Sequence, residues 1–359
     1  MASLIPKLAL NPLLTAPLLL LLTRAPPSLR APLLHKLAQY ISPTTHISPT
    51  TLAKALTTLR WLTAIGLARW LHTHANQLAQ NNFRLTSEQH RYSWPHEIAL
   101  VTGAAGGFGS LFCKDLAAKG VTVIAVDITA ALPAAIAAHP LIHYYNCDIT
   151  SRAAVEALGH RVRAAHGNPS ILINNAGIAF AHSILTATQP QLERLFAVNV
   201  LSHYYTTQAF LPAMLAARKG HVVTIASLAS FVSPPGMVPY ASTKAAALSF
   251  HDGLAAEARA MHAVPEVKFT VVHPTFAATP LIAAFRAELA AGGVKVIEPQ
   301  RVSDAVVGQV WRCRGAQLMV PGEGVVVGCL RGMPSWLSQA LLRVGELRGV
   351  GAGERGGRV

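Results

Sequence analysis

From Glu97 onward the chain alternates between two textures, and this alternation restricts its fold more than any other feature. Short aliphatic and β-branched runs at 98–101, 121–126, 171–174, 221–227 and 267–272 are separated by Ala-rich stretches of helical length. Strands that alternate with helices build a parallel sheet with helices on both faces. The runs are apolar at every position, which fits strands covered on both sides. An α/β fold with a doubly wound parallel sheet is therefore expected over residues 97–320. A hydrophobic and basic region, 1–96, precedes it, and an extension, 321–359, follows, Gly/Arg-rich from Arg348. No internal repeat is visible.

The first quarter of the chain has its own composition. The chain is 52% hydrophobic, which excludes disorder, and 13% charged, about half of the roughly 25% usual in soluble domains. Of a formal net charge of +14, a surplus of +8 falls in residues 1–96, where nine Lys and Arg face the single acid Glu88. Such an arm suits an anionic surface. Its cations are interleaved with leucine and lack nucleic-acid-binding motifs, so no nucleic-acid partner is expected.

Residues 8–23 are sixteen uncharged residues, interrupted by Pro12 and Pro17. As a helix they would span about 24 Å, short of the roughly 30 Å hydrocarbon core. An interfacial or re-entrant hairpin fits better than a clean span, and no small-x-small cleavage site marks a signal peptide. Further on, Leu52, Leu56, Leu59, Leu67 and Trp70 share one side of a helix, with Lys54, Thr58 and Arg69 opposite. That pattern suits a membrane interface. A helix packed on its own domain and a mitochondrial presequence are the other readings. The four cysteines form no C-x-x-C pair, and the sixteen histidines show no ligand spacing, so neither a disulfide framework nor a metal site is expected.

The first aliphatic run breaks into Thr102-Gly103-Ala104-Ala105-Gly106-Gly107-Phe108-Gly109 ahead of a helical stretch. Glycines at a strand-to-helix turn let the backbone approach a pyrophosphate at the helix N-terminus, the Rossmann arrangement. Asp127 ends the second run, 24 residues after Gly103. A carboxylate there can bond both ribose hydroxyls and would repel a 2′-phosphate, and Ala104 and Ala105 offer no cation for one. NAD is therefore expected over NADP. Asp127 as a helix N-cap is the alternative.

Four further motifs join this turn: Asn174-Asn175-Ala176-Gly177, Asn199, Ser227 and Tyr240-x-x-x-Lys244. Together with T-G-x-x-x-G-x-G at 102–109 they resemble the short-chain dehydrogenase/reductase superfamily over about residues 97–320. The resemblance implies Tyr240 as general acid/base and Lys244 as the cation that lowers the phenol's pKa and binds the nicotinamide ribose. It implies Ser227 as partner of the substrate oxygen and Asn199 as holder of a water in the proton relay. It assigns Gly103, Gly107, Phe108, Gly109, Asp127, Asn175, Gly177 and Thr279 to the cofactor, and Asp148 to the adenine end. Asp148 has a competing reading as a capping residue. No metal is implied.

One motif departs from the pattern. Where the superfamily usually has Pro-Gly, this chain has Pro274-Thr275, with Thr279 in its usual place and an apolar stretch, 281–285, where the family carries a substrate lid. P-x-F at 274–276, Tyr92-Ser93-Trp94 ahead of the first strand and the hydrophobic N-terminus resemble a membrane-associated subgroup. That subgroup contains retinol dehydrogenases and 17β-hydroxysteroid dehydrogenase type 11-like enzymes. The expected activity is hydride transfer between NAD and a lipophilic alcohol or carbonyl of retinoid, steroid or long-chain type. A non-catalytic membrane-surface scaffold or redox sensor is the alternative. The expected setting is a membrane surface with the catalytic domain facing the cytosol, at the endoplasmic reticulum or a lipid droplet. Family habit adds a homodimer, for which the Ala-rich stretch 240–259 could be an interface or a core face.

Overall fold

The computed structural model describes residues 8–41, 48–180, 182–291 and 293–348. It divides into two compact units, Met1–Ala79 and Gln80–Val359.

The first unit is helical. Asn11 caps the helix Pro12–Arg24, its Oδ1 accepting from the Leu13 amide at 3.0 Å, and a proline follows at the first helical position. At 13 residues this helix is about 20 Å long. Helices Pro27–Ile41 and Pro49–Gln80 follow. A Cβ on Gly66 would lie 2.5 Å from the Leu10 carbonyl oxygen, so the long helix meets the start of the chain where it lacks a side chain. No described helix is long and apolar enough to cross a membrane. Large apolar side chains nevertheless stay exposed on this unit, among them Leu13, Leu20, Trp61 (66%), Ile65 and Trp70.

The second unit contains seven parallel strands: β1 (Ile98–Thr102), β2 (Thr122–Asp127), β3 (Ile142–Asn146), β4 (Ile171–Asn174), β5 (His221–Ile225), β6 (Lys268–Pro274) and β7 (Ala316–Val320). Their order is β3-β2-β1-β4-β5-β6-β7. β1 pairs with β2 through Val101 and Ala125 and with β4 through Val101 and Ile173. The chain winds outward from β1 to β3 and then returns to β4, so the strand order reverses between β1 and β4. A crevice opens at the C-terminal ends of strands at such a switch point.

Successive strand residues feed opposite cores. Val101, Val123, Ile173 and Val272 pack with the helices Gly107–Ala117 and Pro299–Trp311. Leu100, Ile124, Leu172 and Val222 pack against Arg152–His166, Ser202–Ala216 and Val238–Ala260. Each fully buried aliphatic chain contributes about 1.5–3 kcal/mol, which is why the strand runs are apolar throughout. The edge strands β3 and β7 are only partly covered, and they are the two that carry no continuous aliphatic run. Helix Val238–Ala260 buries Ala241, Ala247 and Ala258 in its own core.

This unit begins at Gln80, upstream of the Glu97 boundary drawn from the strand pattern. Asn81 is buried, donating to the Gly315 carbonyl at 3.1 Å and accepting from the Gly315 amide at 2.9 Å. Trp94 stacks on Trp311 at 4.1 Å. Buried Glu97 accepts from Lys219 Nζ and the Ser93 amide, both at 2.9 Å. Residues 80–96 have no regular pattern of their own, yet these side chains bind them to the sheet.

Candidate active site

The glycine turn is built by close approach. Gly103 has φ +65°, and a Cβ on it would lie 2.8 Å from Ala176 Cα. A Cβ on Gly109 would lie 2.0 Å from the Gly103 carbonyl oxygen, so the following helix seats directly on the turn. Thr102 Oγ1 accepts from the amides of Asn175 and Ala176 at 3.0 and 3.1 Å, and Asn175 Nδ2 donates to the carbonyls of Thr102 and Gly103 at 2.8 and 3.1 Å. The ends of β1 and β4 are thus locked together across the switch point.

Helix Gly107–Ala117 starts at Gly106, which supplies no side-chain cap, and a Cβ placed on Gly106 would meet nothing within 4 Å. The helix N-terminus thus has no side-chain cap, and Gly106, Gly107 and Phe108 line the cavity beside it, a fit for the diphosphate of a dinucleotide. Gly103, Gly107, Phe108, Asp127, Asp148, Asn175, Gly177 and Thr279 line one cavity of about 830 Å³ here. Gly109 does not line it; its close packing on the Gly103 carbonyl shapes the turn instead. Asp127 is not a helix cap: its Oδ2 accepts from the Ala105 amide at 2.8 Å and its Oδ1 from the Thr129 amide at 3.1 Å. Asp148 turns on itself, its Oδ1 accepting from the Thr150 amide and hydroxyl at 2.9 and 2.7 Å, while Ser151 caps the next helix.

A second cavity, of about 250 Å³, shares Phe108, Asn175, Gly177 and Thr279 with the first. Ser227, Tyr240 and Lys244 line it. Ser227 leaves β5 in an extended conformation, and Tyr240 and Lys244 lie one turn apart on helix Val238–Ala260. Ser227 Oγ accepts from the Ala229 amide at 3.1 Å, and its O–H points at the Pro274 carbonyl at 3.4 Å. Lys244 is buried and donates to the Ile225 carbonyl at 2.9 Å, with its pKa lowered to about 8 by desolvation. Burial pushes the Tyr240 phenol up to about 12, and the Ser227 hydroxyl beside it draws it partly back. Among the protein groups alone, burial outweighs any lowering by the Lys244 charge. The ammonium lies 5.6 Å from the centre of the phenol ring, and desolvation prevails.

Asn199 sits in a π turn, Ala197–Leu201, inserted ahead of helix Ser202–Ala216. Its Oδ1 accepts from the Ile178 amide at 2.9 Å. Its Nδ2 donates to the Ile178 carbonyl at 2.9 Å and to Thr243 Oγ1 at 3.0 Å, and Thr243 in turn donates to the Tyr240 carbonyl at 2.7 Å. Both amide hydrogens are therefore spent on protein. Asn199 clamps the loop after β4 onto the turn that carries Tyr240.

Apart from Thr275, the rest of the smaller cavity is apolar, including Ala179, Leu228, Val232, Met237, Phe276, Ile282 and, from the C-terminal extension, Val327. Motif reading missed Val327, Thr243 and the buried His273, which donates to the Ser227 carbonyl at 3.0 Å. A histidine directly before Pro274 was the available signal. No group of three potential metal ligands occurs among the described residues.

Comparisons with known proteins bear on this geometry. The family profile described as short chain dehydrogenase matches residues 97–290. Dehydrogenase RED2 of Cochliobolus heterostrophus is 36% identical over 213 residues, covering 59% of this chain and 78% of that protein. Human estradiol 17-beta-dehydrogenase 11 is 37% identical over 206 residues, covering 55% and 68%. A short chain dehydrogenase/reductase from Burkholderia phymatum, solved in complex with NAD, shares the fold with a TM-score of 0.58 at 24% identity, covering 66% of this chain and 93% of that one. The switch-point crevice, its glycine turn and these matches agree, and the chain belongs to the short-chain dehydrogenase family, as a nicotinamide-dependent oxidoreductase of the alcohol dehydrogenase type.

Proposed function

We propose that this enzyme interconverts a lipophilic alcohol and its carbonyl compound, using NAD in preference to NADP. The observation that carries this reading is the small apolar cavity whose polar floor is Ser227, Tyr240 and Lys244 and which opens onto the nucleotide crevice. The nicotinamide, when bound, supplies or takes the hydride. Tyr240 Oη moves the proton: as phenol it gives one to the carbonyl oxygen, as phenolate it takes one from the alcohol. Ser227 orients that oxygen by hydrogen bond. Lys244 contributes positive charge close to the phenol and a donor toward the ribose. Asn199, with all its amide hydrogens engaged, acts by holding Ile178 and, through Thr243, the Tyr240 turn. A proton-relay water beside it would have to use the remaining lone pair of its Oδ1 or the backbone. Asp127, already tied to Ala105 and Thr129, places its carboxylate at the cavity wall where a 2′-phosphate would be repelled.

The test is turnover of retinoid, steroid and long-chain alcohols, followed by NADH fluorescence, with the Tyr240→Phe variant as blank. Tyr240→Phe is expected to lose turnover by about 10³-fold or more while NADH binding stays within about twofold, and NAD is expected to exceed NADP in kcat/KM by about tenfold. Near-normal turnover in Tyr240→Phe would sink the mechanism.

We also propose that the first unit attaches the enzyme to a membrane surface. Its exposed Leu13, Leu20, Trp61 and Trp70, interleaved with cations, support this. The full chain should float with anionic vesicles, and deletion of residues 1–79 should abolish flotation. Equal flotation of both would reject the assignment.

A further inference from the structure

Ser227 is held from its far side by a histidine that no catalytic motif contains. His273, the penultimate residue of β6, is completely buried. Its Nδ1 lies 3.0 Å from the Ser227 carbonyl oxygen, and its Nε2 lies 3.3 Å from Gln317 Nε2 on β7. A carbonyl can only accept, so Nδ1 carries the proton, and Nε2 is left to accept from the Gln317 amide. One tautomer satisfies both contacts. Phe231 packs against the ring with centroids 4.7 Å apart. Burial keeps the imidazole neutral, its pKa lowered to about 4 against the raising effect of the bond to the Ser227 carbonyl, with the Lys244 charge lowering it further.

The carbonyl that His273 holds is a critical one. It also accepts from the Ser230 amide at 2.9 Å, closing the short turn that follows β5. The neighbouring Pro274 carbonyl is the acceptor that the Ser227 hydroxyl faces at 3.4 Å. Two consecutive residues of β6 therefore address Ser227, one at its backbone and one at its side chain. The 3.4 Å contact is too long to hold the hydroxyl by itself. The hydroxyl oxygen is also held by the Ala229 amide at 3.1 Å and the carbonyl by the Ser230 amide, both from the turn itself; the firm restraint from β6 is the histidine.

We propose that His273 is a positioning residue for Ser227. Its Nδ1–H fixes the strand end from which the Ser227 hydroxyl projects, and Gln317 fixes the tautomer that makes this bond. The proposal rests on the proposed function, in which Ser227 orients the substrate oxygen. The chemical step should then depend on His273 although the residue touches neither substrate nor cofactor.

The experiment compares His273→Leu, which removes the donor, with His273→Asn, whose Nδ2 is as far from Cβ as the lost Nδ1. Loss of one such bond should lower kcat by about tenfold in His273→Leu, with KM and the NADH dissociation constant within about threefold, and His273→Asn should recover kcat to within about threefold. In Ser227→Ala enzyme, adding His273→Leu should change the residual kcat by less than about twofold, because residues acting as one unit are not additive. Wild-type kcat in His273→Leu overturns the proposal, as does an equal loss with and without Ser227, which would mark a purely structural role. If His273→Leu does not fold, the exposed Gln317→Leu carries the test. It should lower kcat by about threefold through loss of the tautomer lock, and an unchanged kcat rejects the proposal. Full activity in Ser227→Ala alone would instead reject the underlying catalytic reading.

Discussion

Tyr240 sits where burial works against its ionisation, and the consequences for pH are specific. Desolvation raises the phenol to about 12, and the Lys244 ammonium, itself lowered to about 8, is the nearby cation that could offset this. Alcohol oxidation requires the phenolate, whose population grows about tenfold per pH unit below the pKa. The kcat/KM for oxidation should therefore climb from pH 6 and flatten above about 8, as Lys244 loses its charge. Carbonyl reduction requires the phenol, already the dominant form, and should stay level from pH 6 to 8. Parallel pH profiles in the two directions check this, and an oxidation rate that falls between pH 6 and 8 would contradict it. At this scale the reach of sequence depends on distance along the chain. Tyr240 and Lys244 are four residues apart in one helix, so their juxtaposition follows from helix geometry. Their pKa values do not, because desolvation depends on what the tertiary fold packs over them.

At the scale of elements, the site is a set of strand ends and turns cross-tied by side chains far apart in sequence. Asn199 bonds the amide and carbonyl of Ile178 and reaches Tyr240 through Thr243. Its replacement by alanine would leave buried polar groups without partners. Asn199→Ala should cost about 2–4 kcal/mol, read as a lower urea midpoint, together with a loss of activity. A variant of unchanged stability would show that the clamp is dispensable. The five inner strands were legible because burial on both faces demands aliphatic runs. The edge strands β3 and β7 and the segment 80–96 were not, since half-covered strands and irregular chain have no period to detect. The π turn at Asn199 was invisible for a related reason: widening a helical turn changes hydrogen bonding without requiring a particular residue.

The whole second unit carries a pH liability that belongs to no single element. His203, His221 and His251 are buried with pKa lowered to about 3, chiefly by desolvation. A histidine depressed in the folded state stays neutral there, while the unfolded chain begins to take up protons near pH 6.5. Stability from these groups is complete above about 6.5 and is lost as the pH falls toward 3. With buried His273, lowered to about 4, added to these three, nearly four protons are in play and the slope near pH 5 is roughly 5 kcal/mol per pH unit. The urea midpoint should drop steeply from pH 7 to 5, and His221→Gln, which can keep the contact to Thr270 seen at 2.8 Å, should make that drop shallower. A midpoint insensitive to pH over this range would refute the linkage.

The amino-acid sequence by itself determined the architecture, the glycine turn and the identity of the family, because each depends on local periodicity, backbone freedom or short motif spacing. It also separated a basic, leucine-rich first region from the domain that carries every catalytic and cofactor motif. Only the tertiary structure decided that residues 81–97 are tied to the sheet, which carbonyl each buried side chain holds and how far each catalytic group is from ionising. Those properties arise from strand register and helix docking, which bring Ser227 to His273 and Asn199 to Thr243 across 46 and 44 residues of chain. No local pattern encodes a contact of that length.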